Sequence, residues 1–523
     1  MQEIELKFLV PESRLKGLMR QAKVKSSQVT QLAAYYYDTP DQQLAQAGIG
    51  LRIRKEGDTW VQTIKAGGDG LAARLEHNAV LDNEQVQDML DNNELMPDLT
   101  LYKDTSIANA IADFKLKKLA KQLTRLYVTD VQRTTRSLIE DDNDDINNCL
   151  EVAYDYGEIV HGTDDTQREA IQEIEFELVS GELDFLFSTA KTWCKRYKLC
   201  LSTVTKAERG GLLINGRDHS PAVSANLSQL QVSKDSSMPA FVRAAVHNCL
   251  LQILPNSSAI VAGSTDVEHV LQLHTGIKRL LAALKSFADF SDEINPDWLP
   301  ILQQTAVLLD DYRQLAHVVS HVEPLLQTYG APAVDWATDI DAIKVTPFDA
   351  VRANDFQLTL LELIAFAMSD PSIEPKADHL AHDKLEKILS KEYEKCFESD
   401  NEPDESSDAE LDSDDITDDD NQAEDRLSNH LTDLLYISEF SASLLRKKKT
   451  KKKTTRWLKR LKKAQIALEQ HSADSRYQQC YELKSATDAH ALYGAGWFTA
   501  TLDHDYDPTA KHLAKFRDSS IFW

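Results

Sequence analysis

Met1-Gln2-Glu3-Ile4-Glu5-Leu6-Lys7-Phe8-Leu9-Val10 opens the chain. Glu3, Glu5 and Lys7 alternate with Ile4, Leu6 and Phe8, and a β-strand sends successive side chains to opposite faces. Three charged groups therefore share one face and three apolar groups the other. A single half-exposed strand looks the same, with its charges in water. The reading turns on whether other strands repeat the pattern with complementary charge.

They do. Leu51-Arg52-Ile53-Arg54 sets two arginines opposite two apolar residues, after Gly48 and Gly50. Trp60 to Lys65 follows through Glu56-Gly57-Asp58, a hairpin turn. Arg74 and Glu76 share a face, Leu126 to Ile139 carries Arg133 and Arg136, and Leu150 to Tyr156 ends at Asp155-Tyr156-Gly157. Glu173-Ile174-Glu175-Phe176-Glu177-Leu178 repeats the opening pattern with three carboxylates, and Lys206 follows. Helical spacing is predicted for Pro11 to Ala22, Asp104 to Leu123 and Leu183 to Tyr197. An acidic loop at Asp141 to Asp145 is predicted as a hairpin tip. Strands that each carry one apolar and one charged face point to a closed antiparallel sheet with a polar interior, its apolar faces covered by helices.

Three carboxylates on one short strand repel one another unless a cation bridges them or basic neighbours compensate. Such an acid cluster suits a hard divalent cation, Mg²⁺ or Mn²⁺. Lysines and arginines suit phosphate oxygens, arginine with two parallel hydrogen bonds. Together they describe a site for a metal-complexed polyanion, and a linear phosphate chain fits a tunnel.

The same residues resemble a known family. Glu3-Ile4-Glu5-Leu6-Lys7 is similar to the Glu-x-Glu-x-Lys signature of CYTH proteins, the triphosphate tunnel metalloenzymes. The likeness continues in order through Arg52 and Arg54, Lys65, Arg74-x-Glu76, Arg133, Asp155-Tyr156-Gly157, Glu173 to Glu177 and Lys206. It implies an eight-stranded antiparallel β-barrel with a charged tunnel, and hydrolysis at a triphosphate. Glu3, Glu5, Asp155, Glu173, Glu175 and Glu177 are the implied metal ligands. Lys7, Arg52, Arg54, Lys65, Arg74, Arg133 and Lys206 are the implied phosphate-binding residues. Lys7, Glu76 and Asp155 are the implied catalytic residues, the two acids holding metal or orienting the attacking water. Inorganic triphosphate is the expected substrate. Thiamine or nucleoside triphosphate hydrolysis, adenylate cyclase activity and non-catalytic polyphosphate binding are the alternatives.

At 523 residues the chain is too long for one core. The expected fold class is α+β: a barrel domain over 1–215, a linker over 216–237, and an all-α bundle over 238–523. Helical stretches are predicted at Asp266 to Phe290, Trp298 to Tyr329, Pro347 to Met368, Leu380 to Phe397, Leu427 to Leu445, Arg456 to Glu469 and Arg476 to Tyr493. The order, and the stretch His274 to Leu284, resemble proteins with a C-terminal CHAD domain. Leu271, His274 and Leu281 depart from that domain's usual residues, so the expected domain is a degenerate one. The histidines of this half form no metal-ligand spacing.

Two biased runs interrupt the bundle. Glu398 to Asp425 holds fifteen Asp or Glu and no Lys or Arg, and is predicted to be disordered. Arg446 to Lys463 holds twelve Lys or Arg: a solvated basic helix face, a patch for polyphosphate or RNA, or a membrane-surface helix, and the acidic run is expected to fold back on it. A formal charge of -26 argues against specific nucleic-acid binding. No apolar run approaches the roughly 20 residues of a membrane span, and no signal peptide is visible. Six scattered cysteines read as reduced thiols of a cytoplasmic protein.

Overall fold

The structure is a computed structural model that describes residues 2–22, 26–68, 71–141, 147–397, 415–445 and 451–523. The strands are β1 (Gln2–Leu9), β2 (Gln28–Asp38), β3 (Ile49–Glu56), β4 (Thr59–Ala66), β5 (Ala73–Leu81), β6 (Thr124–Asp141), β7 (Asn147–His161), β8 (Arg168–Ser180) and β9 (Cys200–Leu201). They form one antiparallel sheet in the order β5-β4-β3-β2-β6-β7-β8-β1-β9. A further pairing of β1 with β5, at Gln2 with Leu75 and Glu3 with Arg74, closes the first eight into a barrel. β1 thus lies between β5 and β8.

The barrel is lined by charge and cased in apolar packing. Leu6 and Phe8 are buried outside the sheet, where Phe8 meets Phe176 edge-on at 5.7 Å and Phe176 meets Trp193 at 5.4 Å. Trp193 belongs to a helix, Leu183–Tyr197, whose apolar face covers this side. A second cluster, including Leu51, Ile53, Ile64, Leu99 and Tyr102, covers β3 and β4.

Part of that cover departs from the predicted helix at Asp104 to Leu123. It is two 3-10 turns, Leu99–Tyr102 and Ala108–Ile111, and a short helix, Leu116–Ala120. Asp104 takes φ 60°, and the Thr105 hydroxyl donates to the Tyr102 carbonyl at 2.7 Å. Short polar side chains here compete with helical hydrogen bonding.

Gly157 explains the Asp-Tyr-Gly stretch. A Cβ at 157 would sit 2.1 Å from the Asp130 carbonyl oxygen and 2.7 Å from the Val131 Cα on β6. Gly157→Ala should therefore force β6 and β7 apart and cost about 1–3 kcal/mol, as overpacking does. Urea unfolding measures this; an unchanged midpoint would show that the strands can yield.

From residue 238 the chain is helical. α-Helices at Met238–Val261, Val267–Ser286, Trp298–His317, Asn354–Met368, His382–Lys395, Asp415–Leu445, Lys451–Ser485 and Leu492–Arg517 are its main elements. By compactness the chain divides into two units. One comprises Met1–Ser224, Leu250–Leu273 and Phe348–Ser369; the other comprises Ala225–Cys249, His274–Pro347 and Asp370–Trp523.

Several helix predictions need correction. A π-turn at Val318–Val322 divides the stretch predicted from Trp298 to Tyr329. The two helices predicted at Arg456 to Glu469 and Arg476 to Tyr493 are one helix through Ser485, because 470–475 contains no Gly or Pro to end it. Residues 415–425, within the run predicted to be disordered, begin the helix Asp415–Leu445. Glu424 and Asp425 pair with His471 and Arg476. His471 and Arg476 lie beyond the basic run, which ends at Lys463, and the remaining acidic residues expected to fold back on that run fall largely outside the described residues. Residues 398–414, 446–450 and the 142–145 hairpin tip lie outside the described residues. No helix among the described residues is long and apolar enough to cross a membrane.

Candidate active site

Strand register converts the alternating charges into rows across the barrel wall. Arg133 on β6 pairs with Asp155 on β7, and Asp155 with Glu173 on β8. Lys7 on β1 pairs with Glu175, and Glu5 pairs with Glu177, which pairs in turn with Glu151. Lys65 on β4 pairs with Glu76 on β5. Together they wall a cavity of about 1070 Å³. Of the site residues predicted from sequence, all line it except Asp155 and Glu173, which lie behind the wall.

Those two are wholly buried and held by cations. Arg133 donates to both Asp155 carboxylate oxygens at 2.7 and 2.6 Å and to Glu175 at 2.6 Å. The Lys206 ammonium reaches Asp155 and Glu175 at 2.7 Å each, and Glu173 as well. Burial works to raise Asp155 and Glu175, but Lys206 and Arg133 outweigh it and hold both below the usual carboxylate range. Burial lowers Lys7, whose ammonium donates to the Val204 carbonyl.

Lys206 begins a helix, Lys206–Ile214, capped by the Thr205 hydroxyl, which accepts from the Glu208 N–H at 3.0 Å. Gly210 lets this helix close on the barrel end, since a Cβ there would lie 2.1 Å from the Tyr127 ring.

On the opposite wall Lys65 donates to both oxygens of Glu3 at 2.8 and 2.6 Å and meets Glu76 at 2.9 Å. Burial drives Glu3 toward protonation against the pull of Lys65. Glu76 stays ionised because Lys65 and a hydrogen bond from Glu3 outweigh its own burial. Arg74 stands 3.8 Å from Glu5. Arg52 donates to the Tyr36 hydroxyl at 3.3 Å, and Arg54 to Glu56 at 2.7 Å. Arg136 turns out of the barrel to the Gln21 carbonyl at 2.9 Å, so Arg133 is the inward arginine of β6.

Two groups of carboxylates offer oxygen ligands. Asp155, Glu173 and Glu175 bring ligand atoms within 4.8 Å of one another, shared with Lys206 and Arg133. Glu5, Glu177 and Glu151 are the second, neighbours by strand register, although among the described residues only the first group brings three ligand atoms within 4.8 Å. Among the described residues neither Glu177 nor Glu151 has a basic partner within 4.0 Å. Burial, and then Glu151, Glu5 and Glu76, push Glu177 up to about 6, with Lys65 opposing. An all-oxygen donor set under that strain fits a hard divalent cation.

Sequence reasoning missed Glu151 and Tyr36. Glu151 stands four residues before Asp155 on one strand and so shares its face, a signal that alternation contains. For Tyr36, an aromatic residue in a strand run, the sequence points to a ring that could stack on a base and not to the hydroxyl. Its hydroxyl is a cavity group, and although burial opposes it, Arg52, Lys206 and Arg54 lower its pKa.

Residues 1–210 match the CYTH domain family, and residues 244–478 match the CHAD domain family. An inorganic triphosphatase of Haemophilus influenzae is 32% identical over 219 residues, covering 41% of this chain and 55% of that protein. The chain thus spans about half the length of this curated relative. A CHAD domain from the plant Ricinus communis is 18% identical, covers 57% of this chain and 97% of its own, and superposes with a TM-score of 0.43. A Hippeastrum protein described as an adenylyl cyclase with a dominant triphosphatase activity is 17% identical, covers 41% of this chain and 96% of its own, and has a TM-score of 0.29. The chain carries a CYTH domain at residues 1–210 followed by a CHAD domain at residues 244–478.

Proposed function

We propose that the barrel hydrolyses inorganic triphosphate to diphosphate and phosphate with the help of a divalent cation. One observation carries this reading: a single cavity is lined by Lys7, Arg52, Arg54, Lys65, Arg133 and Lys206 and also by Glu3, Glu5, Glu175 and Glu177. The curated relative, an inorganic triphosphatase, supports the same substrate. Tyr35, Tyr36, Tyr37 and Trp60 are the aromatic residues that could stack on a base, and their existing contacts weigh against a base-bearing substrate. Tyr35 stacks on Trp60 at 6.3 Å in the outer core, Tyr36 stacks on Tyr127 at 4.8 Å, and the Tyr37 hydroxyl donates to the Leu95 carbonyl. None of these rings is left to receive a base.

In this reading the bases bind and orient the phosphates and neutralise charge developing on the transferred phosphoryl group. Glu76, ionised beside Lys65, orients the attacking water. Asp155 acts through Arg133 and Lys206, which it fixes in place. Glu3, Glu5 and Glu177, with Glu151 beside them, would hold Mg²⁺ or Mn²⁺; Asp155, Glu173 and Glu175 are the second candidate set. The cation, when bound, neutralises phosphate charge and polarises the bond to be broken.

Phosphate release from triphosphate, ATP and thiamine triphosphate should be fastest for triphosphate with Mg²⁺ or Mn²⁺, and EDTA should abolish it. Equal inactivity on all three substrates would refute the hydrolase reading, and leave a polyphosphate-binding protein. Polyphosphate binding is supported separately by Lys451, Lys452, Lys453, Arg456, Lys459, Lys462 and Lys463. These flank the buried Trp457 and Leu461, and all seven are exposed. The six cysteines are free thiols, compatible with the cytoplasmic setting that belongs to this proposal.

A further inference from the structure

The loop from β9 to Lys206 carries much of the phosphate-binding wall. Its Val204 carbonyl receives the Lys7 ammonium, its Ser202 N–H donates to the Lys7 carbonyl at 2.9 Å, and Thr203, Thr205 and Lys206 line the cavity. Yet β9 is two residues long and pairs only with Phe8 and Leu9. The Leu201 and Thr203 N–H groups, on the side of this segment away from β1, have no strand to bind, and a buried N–H without a partner is costly.

Two side chains from far along the chain take that part. The Leu201 N–H donates to Gln357 Oε1 at 2.8 Å, and the Thr203 N–H donates to Ser258 Oγ at 3.0 Å. Both side chains are wholly buried. Gln357 uses its amide N–H on the Val351 carbonyl at 2.8 Å, so its oxygen is left facing Leu201. Ser258 uses its hydroxyl proton on the Leu254 carbonyl at 2.7 Å, so its lone pair is left facing Thr203. Each is fixed in orientation by one bond and fixes the loop with the other. Both stand in the CHAD-matched stretch and in the same compact unit as the barrel.

We propose that Ser258 and Gln357 are positioning residues for the triphosphate site: they set the loop that anchors Lys7 and presents Lys206. This rests on the reading of the barrel as a triphosphatase. Misplacing charged groups by about an ångström costs as much as 100-fold in rate. In the full chain, Ser258→Ala and Gln357→Leu should each lower kcat for triphosphate by about 10- to 100-fold, well below the melting temperature. Ser258→Thr keeps the hydroxyl and should retain kcat. The control is Ser257→Ala, equally buried, whose hydroxyl has no hydrogen-bond partner among the described residues. It should leave kcat unchanged whatever it does to the melting temperature.

Calorimetric binding of triphosphate without metal supplies a readout apart from turnover. Affinity should weaken about 10-fold in Ser258→Ala and Gln357→Leu, and stay constant in Ser257→Ala. If the first two lose melting temperature yet keep kcat and affinity, their role is structural and the proposal falls. A wild type that binds triphosphate without hydrolysing it overturns the functional reading alone, and the affinities then decide the positioning role. A wild type that neither binds nor hydrolyses triphosphate overturns both.

Discussion

Lys206→Met is expected to abolish triphosphate turnover and to cost about 3–5 kcal/mol of stability, the penalty for removing one partner of a buried ion cluster. Lys206 serves Asp155, Glu173 and Glu175 together, and two of these carboxylates are fully buried. Without it, Arg133 remains for Asp155 and Glu175, and Arg209, 3.6 Å away, for Glu173. The pH dependence follows from the directions of the shifts. In the wild type Asp155 and Glu175 sit below their ordinary values of 3.8 and 4.5, so their stabilisation is present above those values and lost as acid protonates them. In the variant burial dominates, the carboxyls rise, and the fold takes up protons. The deficit should therefore be largest near pH 8 and shrink toward pH 5. Urea unfolding at both pH values measures it. A deficit under about 1 kcal/mol, or one indifferent to pH, would mean that water or the arginines reach the carboxylates after all.

What the sequence discloses of this site is its faces. Glu3, Glu5 and Lys7 must share a side because strand geometry leaves them no choice, and the same holds for Glu173, Glu175 and Glu177. The register between strands is another matter. That Glu5 stands beside Glu177 and Glu151, while Lys7 stands beside Glu175, depends on pairings fixed by the whole closed sheet. Periodicity assigns Asp155 to the inner face with its neighbours, but cannot say that it lies behind the wall, under Lys206. The stretch from Asp104 to Leu123 reads as a helix because its apolar spacing is helical, but Asp104 takes a left-handed backbone and the Thr105 hydroxyl is spent on the Tyr102 carbonyl. Gln357 was invisible for a different reason. Nothing local marks a glutamine in an apolar helix as the acceptor for a backbone N–H 156 residues earlier.

The acid row separates a ligand from a structural residue through the sign of its effect on stability. Glu177 is held up to about 6, against an ordinary 4.5, by burial and by Glu151, Glu5 and Glu76. A carboxyl whose folded pKa is raised binds its proton more tightly in the fold, so it favours folding in acid and opposes it as pH rises through 6. Glutamine removes that opposition while keeping the shape. Glu177→Gln should therefore raise the melting temperature of metal-free protein above pH 6, with the gain vanishing below about pH 4.5. The same substitution should lower turnover by at least 100-fold and weaken stabilisation by Mg²⁺ or Mn²⁺, because a carboxylate ligand to a hard cation is gone. A residue that merely supports the barrel would lose stability and activity together. Gain of the one with loss of the other identifies repulsion maintained for the sake of a cation. A metal-free variant less stable than the wild type at pH 8, or one with undiminished response to Mg²⁺ and Mn²⁺, would remove Glu177 from the ligand set and leave Glu3 and Glu5 to hold the ion with the Asp155 group.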